Sequence, residues 1–176
     1  MNKNWNGILK IFEIQHISST GEIISSQKNL YNTLHSYGEE FILSKMCNKV
    51  TLYGYFWMGL DNRSNITIPQ TISDLVGEPF GSGYSKKSIN AAPSQNEIGF
   101  TVEASKGQWI ARGPLITWTA AIANWSSVSN LFLTAPKAGM PNGELMSTVV
   151  MAKSVALRQG ESLTLRAGVG LRDCPD

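Results

Sequence analysis

Histidine is the commonest general base in proteins, and this chain has two. His16 stands in a segment of alternating residues and His35 in a stretch of helical spacing. Neither has a serine or cysteine placed so that the imidazole would activate it, so both are expected to be structural. Serines are abundant, but Gly81-Ser82-Gly83 lacks the strand-to-helix turn that exposes a nucleophile in a Gly-x-Ser-x-Gly elbow. The glycine-bearing stretch 77–87 is not a phosphate loop. That chemistry needs a lysine directly after the second glycine and a helix behind it. Cys47 and His35 would point to different places along the predicted helix, and a buried thiol is the simpler reading of Cys47. Metal binding needs clustered donors, whereas Glu39-Glu40 and Asp61-Asn62 are adjacent pairs whose side chains diverge. No catalytic residue, metal ligand or cofactor site is therefore assigned. A hydrolase would have to bring together carboxylates such as Asp61, Glu78 and Glu97 by folding, with two carboxyl groups about 5–10 Å apart in a cleft.

Other residue types suggest binding. The five tryptophans, Trp5, Trp57, Trp109, Trp118 and Trp125, could stack on sugar rings, although their places within strand patterns favour packing in a core or between subunits. Sequons stand at Asn62, Asn65 and Asn124 and predict no glycosylation without an export signal. Cys47 and Cys174, separated by most of the chain, are expected to be two thiols rather than one bridge.

The elements that must position these residues follow from composition and spacing. A chain of 176 residues suits one domain with its own core. Charged residues make up 16%, below the usual ~25%, so the surface is expected to be rich in Ser, Thr, Asn and Gly. Its 15 basic and 13 acidic residues are interspersed, which gives little support for nucleic-acid binding. Residues 1–7 lack the apolar stretch of a secretory signal, and the apolar runs are far shorter than the ~20 residues that span a bilayer. A chain made and kept soluble is the expectation.

Along the sequence, 9–17 alternates as a strand, with Phe12, Ile14 and His16 on one side and Glu13 and Gln15 on the other. A turn at 18–21 leads to a second extended segment at 22–26, forming an N-terminal hairpin. Asn29 is placed to cap a helix, in which Leu30, Leu34, Tyr37, Phe41 and Met46 recur at helical spacing and Gly38 is an interruption. Residues 50–59 are aromatic and β-branched and predict a strand buried on both faces. Residues 60–96 are broken by prolines and glycines, with one short helical turn at 71–75. So long an irregular stretch is expected to be functional or ordered against a neighbour. Strands follow at 98–103, 108–112, 115–120, 128–135, 145–152 and 154–157, with turns at 136–143 and 159–161. The last strand is the clearest: Leu163, Leu165, Ala167, Val169 and Leu171 share one face, and Thr164, Arg166, Gly168, Gly170 and Arg172 the other. The pattern predicts a mainly β, antiparallel, jelly-roll-like sandwich with one N-terminal helix preceded by a hairpin. The hairpin and helix take 1–47, and the sandwich with its long loop 60–96 takes 48–176, within a single domain 1–176.

Several of these stretches resemble a family. They are Lys10-Ile11-Phe12-Glu13-Ile14-Gln15-His16, Lys28-Asn29-Leu30 and the run from Leu34-His35-Ser36-Tyr37-Gly38 through Leu43. Trp57-Met58-Gly59-Leu60-Asp61-Asn62-Arg63, Thr71-Ile72-Ser73-Asp74-Leu75 with Val76-Gly77-Glu78-Pro79, and Gly83-Tyr84-Ser85 belong with them. So do Asn130-Leu131-Phe132-Leu133-Thr134-Ala135 and Gly160-Glu161-Ser162-Leu163-Thr164-Leu165-Arg166. Together they look like small structural proteins of tailed bacteriophage particles. The resemblance implies a non-catalytic virion component of the neck, collar, tail or capsid surface. Its partners would be itself, as a homo-oligomer, and other virion proteins. The N-terminal hairpin and the loop 60–96 are then expected to make inter-subunit contacts. The alternative is a carbohydrate-binding sandwich that recognises a host receptor.

Overall fold

The computed structural model describes residues 5–30, 32–48, 55–63, 66–67, 69–75, 77–79, 83–90, 99–105 and 108–173; for 5–10, 45–48, 105, 108–110, 142 and 169–173 it describes the backbone alone. Among the described residues the strands are β1 (Trp5–Ile17), β2 (Ile23–Leu30), β3 (Thr33–Leu34), β4 (Tyr55–Asp61), β5 (Lys87–Asn90), β6 (Thr101–Ser105), β7 (Gln108–Thr119), β8 (Trp125–Lys137), β9 (Met140–Leu157) and β10 (Ser162–Asp173), with one α-helix, α1 (Ser36–Asn48).

They form two five-stranded sheets, ordered β2-β1-β10-β7-β6 and β3-β9-β8-β4-β5. Every strand pairing within them is antiparallel. The mainly β sandwich that the alternation predicts is the observed fold. β1, at the start of the described chain, pairs with β10 at its end, and β3 pairs with β9 in the other sheet.

Two-residue alternation builds the core directly. Ile11, Ile14, Ile116, Trp118, Leu163, Leu165 and Ala167 of the first sheet are buried together with Phe56, Met58, Leu60, Leu131, Leu133, Val149 and Met151 of the second. Each large apolar side chain moved out of water stabilises the fold by about 1.5–3 kcal/mol. Phe41 of α1 joins the same core, meeting Phe56 edge to face at 5.8 Å between ring centroids. At one rim the sheets are tied by a side chain. The Gln27 amide donates to the Lys153 carbonyl at 2.8 Å and accepts from the Lys153 N–H at 3.1 Å.

The helix begins later than its spacing predicts. Asn29 takes φ +54, the left-handed conformation that asparagine tolerates, and bends the end of β2 instead of capping a helix. Leu30 then closes β2, and Leu34 pairs with Ser147 in β3. Gly38 does not interrupt α1 but lets it dock, since a Cβ there would stand 2.3 Å from the Met146 carbonyl oxygen.

Two strands each join two predicted segments. β7 runs unbroken through Gly113-Pro114, and β9 through the segment expected to divide at Lys153. The turn expected at 136–143 shrinks to Ala138-Gly139, because shifts of register in β8 and β9 absorb Pro136 and Gly143.

The described part of 60–96 is also more ordered than an open loop. It carries β5 and a short 3₁₀ helix at Ile72–Asp74, the latter within the predicted turn. Leu75, with Ile66 and Ile72, packs on Phe132 and Leu145 as a second, smaller core. Phe132 lies between Leu131 and Leu133 of the main core, so this part of the second sheet is covered on both faces.

Candidate functional site

Among the described residues, a groove with converging polar side chains lies on the outer face of the first sheet, and irregularities in two strands create it. On β1, Ile11 pairs with Ala167 and Glu13 with Arg166, leaving Phe12 as an extra residue. On β7, Leu115 pairs with Arg166 and Arg112 with Gly168, so Gly113 and Pro114 together face Ala167. The two bulges are therefore level, one on each side of β10. Bulges re-aim side chains, and they are where strands tolerate proline. Consecutive Phe12 and Glu13 both line a groove of about 360 Å³, joined by Gln15, Arg112, Leu115 and Arg166.

The groove walls are braced. The Arg112 guanidinium lies 4.3 Å from the Phe12 ring centroid, and its Nε donates to the Glu103 carboxylate. Glu13 accepts from the Ser26 hydroxyl at 2.8 Å and lies 3.4 Å from the Lys28 ammonium. The Ser26 hydroxyl, the Gln15 amide and Lys28 hold its carboxyl below the ordinary range. Thr164, also in the lining, shares a 3.0 Å hydrogen bond with Thr117. Arg166 sits between Glu13 and Leu115 in the register and is exposed, with no ion pair among the described residues. Such an arrangement can hold a small polar ligand by a guanidinium, a carboxylate, an amide and a hydroxyl beside the apolar Leu115.

Among the described residues no further strand pairs with the outer strands of the first sheet, β2 and β6, although Gln27 of β2 bonds to Lys153. β2 exposes Ile23 and Ile24 at 57% and 52%, and β6 exposes Val102 at 67%.

The residues considered from the sequence fall elsewhere. His16 Nε2 shares a 2.9 Å hydrogen bond with Glu161, whose carboxylate also accepts from the Arg158 N–H. His35 is fully buried just before α1 rather than within it; its ring meets the Thr148 hydroxyl at 2.9 Å, and its carbonyl accepts from the Glu39 N–H. The Asp61 carboxylate, also fully buried, accepts from the N–H groups of Arg63 and Gly77 at 2.8 and 2.9 Å, one on each oxygen. Glu78 is half-buried as a residue, with its side chain 4% exposed, and is ion-paired with Lys86 at 3.2 Å. Burial pushes the Tyr84 hydroxyl well above its ordinary pKa, and the charges of Glu78 and Asp61 add to the rise. Glu39 and Glu40 are exposed on α1. Among the described residues no group of three His, Cys, Asp or Glu could hold a metal ion.

Trp118 and Trp125 are buried in the core and offer no face to a sugar. Trp57 is half-buried beside Tyr55, with ring centroids 6.3 Å apart. Of the sequons, Asn62 is exposed, and Asn124 accepts from the Gln159 N–H at 2.7 Å. A Cβ at Gly77 would meet the exposed Asn62 side chain, which would have to move aside. Glu97, Asn65, Cys174, Gly81, Ser82 and the side chains of Trp5, Trp109 and Cys47 lie outside the described residues.

The groove was not anticipated. The alternation puts Phe12 on one side with Ile14 and His16, whereas Ile11 and Ile14 are buried and Phe12 faces the groove with Glu13 and Gln15. Two signals pointed to it: apolar spacing of three between Ile11 and Ile14, and a Gly-Pro pair inside a strand pattern.

No family model, curated protein or solved structure matches this chain.

Proposed function

We propose that this chain is a non-catalytic structural component of a tailed phage particle, assembled in the bacterial cytoplasm and retained in the virion at the neck, collar, tail or capsid surface. The stretches quoted above support the family, and the outer strands of the first sheet, with which no further described strand pairs, support assembly. A strand edge with unpaired N–H and C=O groups and exposed apolar side chains is a template for a neighbouring chain. Ile23, Ile24 and Val102 supply those side chains at the two margins of one sheet. The long loop is less available for this role than its sequence implies, because much of its described part is spent on Phe132 and Leu145.

Light scattering over a range of concentrations tests assembly. The expected result is an oligomer that Ile24→Lys or Val102→Lys returns towards monomer without loss of the β signal in circular dichroism. A monomer at every concentration, in wild type and variants alike, would sink the proposal.

The groove favours a second reading, a carbohydrate-binding sandwich. It rests on Arg166 and its neighbours, not on the tryptophans.

A further inference from the structure

We infer that the outer groove of the first sheet binds saccharides that carry a carboxylate, with Arg166 as the group that selects the acid. This rests on the carbohydrate-binding reading and adds the ligand class to it.

The cationic groups around the groove are unequal. Arg112 is committed to Glu103 and to the Phe12 ring, and Lys28 is held at Glu13. Arg166 has no ion pair among the described residues, and its planar fork of donors matches a carboxylate with two parallel hydrogen bonds. It stands at the centre of the arrangement, on β10, with the bulges of β1 and β7 on either side.

The rest of the lining narrows the ligand. Glu13, with Ser26 and Lys28 both at its Oε1, is kept ionised and can accept a further hydrogen bond from what enters. Gln15 and Thr164 offer further polar partners, and Leu115, 60% exposed, offers an apolar surface. Sugar hydroxyls supply donors for a carboxylate while the sugar's own acid meets the guanidinium. A simple anion would leave Glu13 opposed and Leu115 uncovered. An acidic peptide brings carboxylates but few side-chain donors to a sheet face. A volume of about 360 Å³ lies at the small end of ligand sites, about 300–1,000 Å³, and fits one or two sugar rings.

Calorimetry or surface binding with the full chain tests this, using matched probes: sialyllactose against lactose, and a galacturonic acid trimer against its carboxyl-reduced form. The expected result is preference for the acidic member of each pair. Arg166→Gln should weaken that member by about tenfold or more, the usual consequence of losing a charged hydrogen-bonded pair, and leave the weak binding of the neutral member unchanged. Glu13→Gln should weaken both members, and Arg158→Gln, an exposed arginine away from the groove, neither. Equal binding of acidic and neutral probes would overturn the inference and leave the carbohydrate reading standing. Binding to no saccharide would overturn both. A tri-glutamate peptide bound as well as the acidic sugars would overturn the inference in favour of a protein partner.

Discussion

Close packing at single positions decides which substitutions this fold tolerates, and Gly59 is the sharpest case. A Cβ at Gly59 would stand 2.2 Å from the Phe132 ring, which lies across it on the paired strand. Phe132 is fully buried and anchors the loop residues Leu75 and Ile72, so the ring has no space to retreat into. Gly59→Ala should destabilise the protein by roughly 1–3 kcal/mol, the usual cost of overpacking, measured by urea denaturation. Phe132→Leu, itself destabilising, should recover part of the Gly59→Ala loss in the double variant. Additive losses would show that the ring and the glycine do not compete for space.

At the scale of elements, one carboxylate fastens the long loop to the second sheet. Glu144 on β9 accepts from the N–H groups of Ile72 and Leu145 at 2.8 and 2.9 Å and from the Lys137 ammonium at 3.0 Å. Burial raises its pKa, but these three donors outweigh burial and hold it below the ordinary value of 4.5. A carboxyl whose folded pKa is depressed contributes stability that is fully present above the unfolded pKa and is lost as pH falls through the folded one. Loop attachment should therefore be constant at neutral pH and weaken below about pH 4.5. Amide exchange at Ile72, corrected for its intrinsic pH dependence, should accelerate there. Glu144→Gln should exchange faster already at pH 7 and lose the acid response, and an unchanged Ile72 rate in that variant would remove Glu144 from the role. This latch was hidden in the sequence, because it joins residues far apart and a lone glutamate in a strand reads as solvated. The strands themselves were legible, since their faces repeat every two residues and core burial enforces that period. The start of α1 was not, because Leu30 and Leu34 fit helical spacing equally well and the left-handed turn at Asn29 decided otherwise. Nor was the groove, because a bulge erases the local period from which a face is read.

For the whole molecule, a core shared by both sheets, the helix and two buried indoles implies one cooperative unit. Tryptophan fluorescence and far-ultraviolet circular dichroism should trace the same single transition in urea, and separated midpoints would mean that the two sheets yield independently. Gln27→Ala should move both probes together, by roughly 1 kcal/mol for the hydrogen bonds it removes. The bond between Gln27 and Lys153 joins a side chain on one rim to main-chain atoms on the other. Mutational drift at residue 153 is thus nearly silent as long as proline is avoided, while the opposite rim depends on one amide. Losing that amide would leave the Lys153 N–H and carbonyl on β9 without their Gln27 partner. A change at residue 27 would thus bare main-chain groups to a neighbouring molecule while the shared core still held the two sheets together.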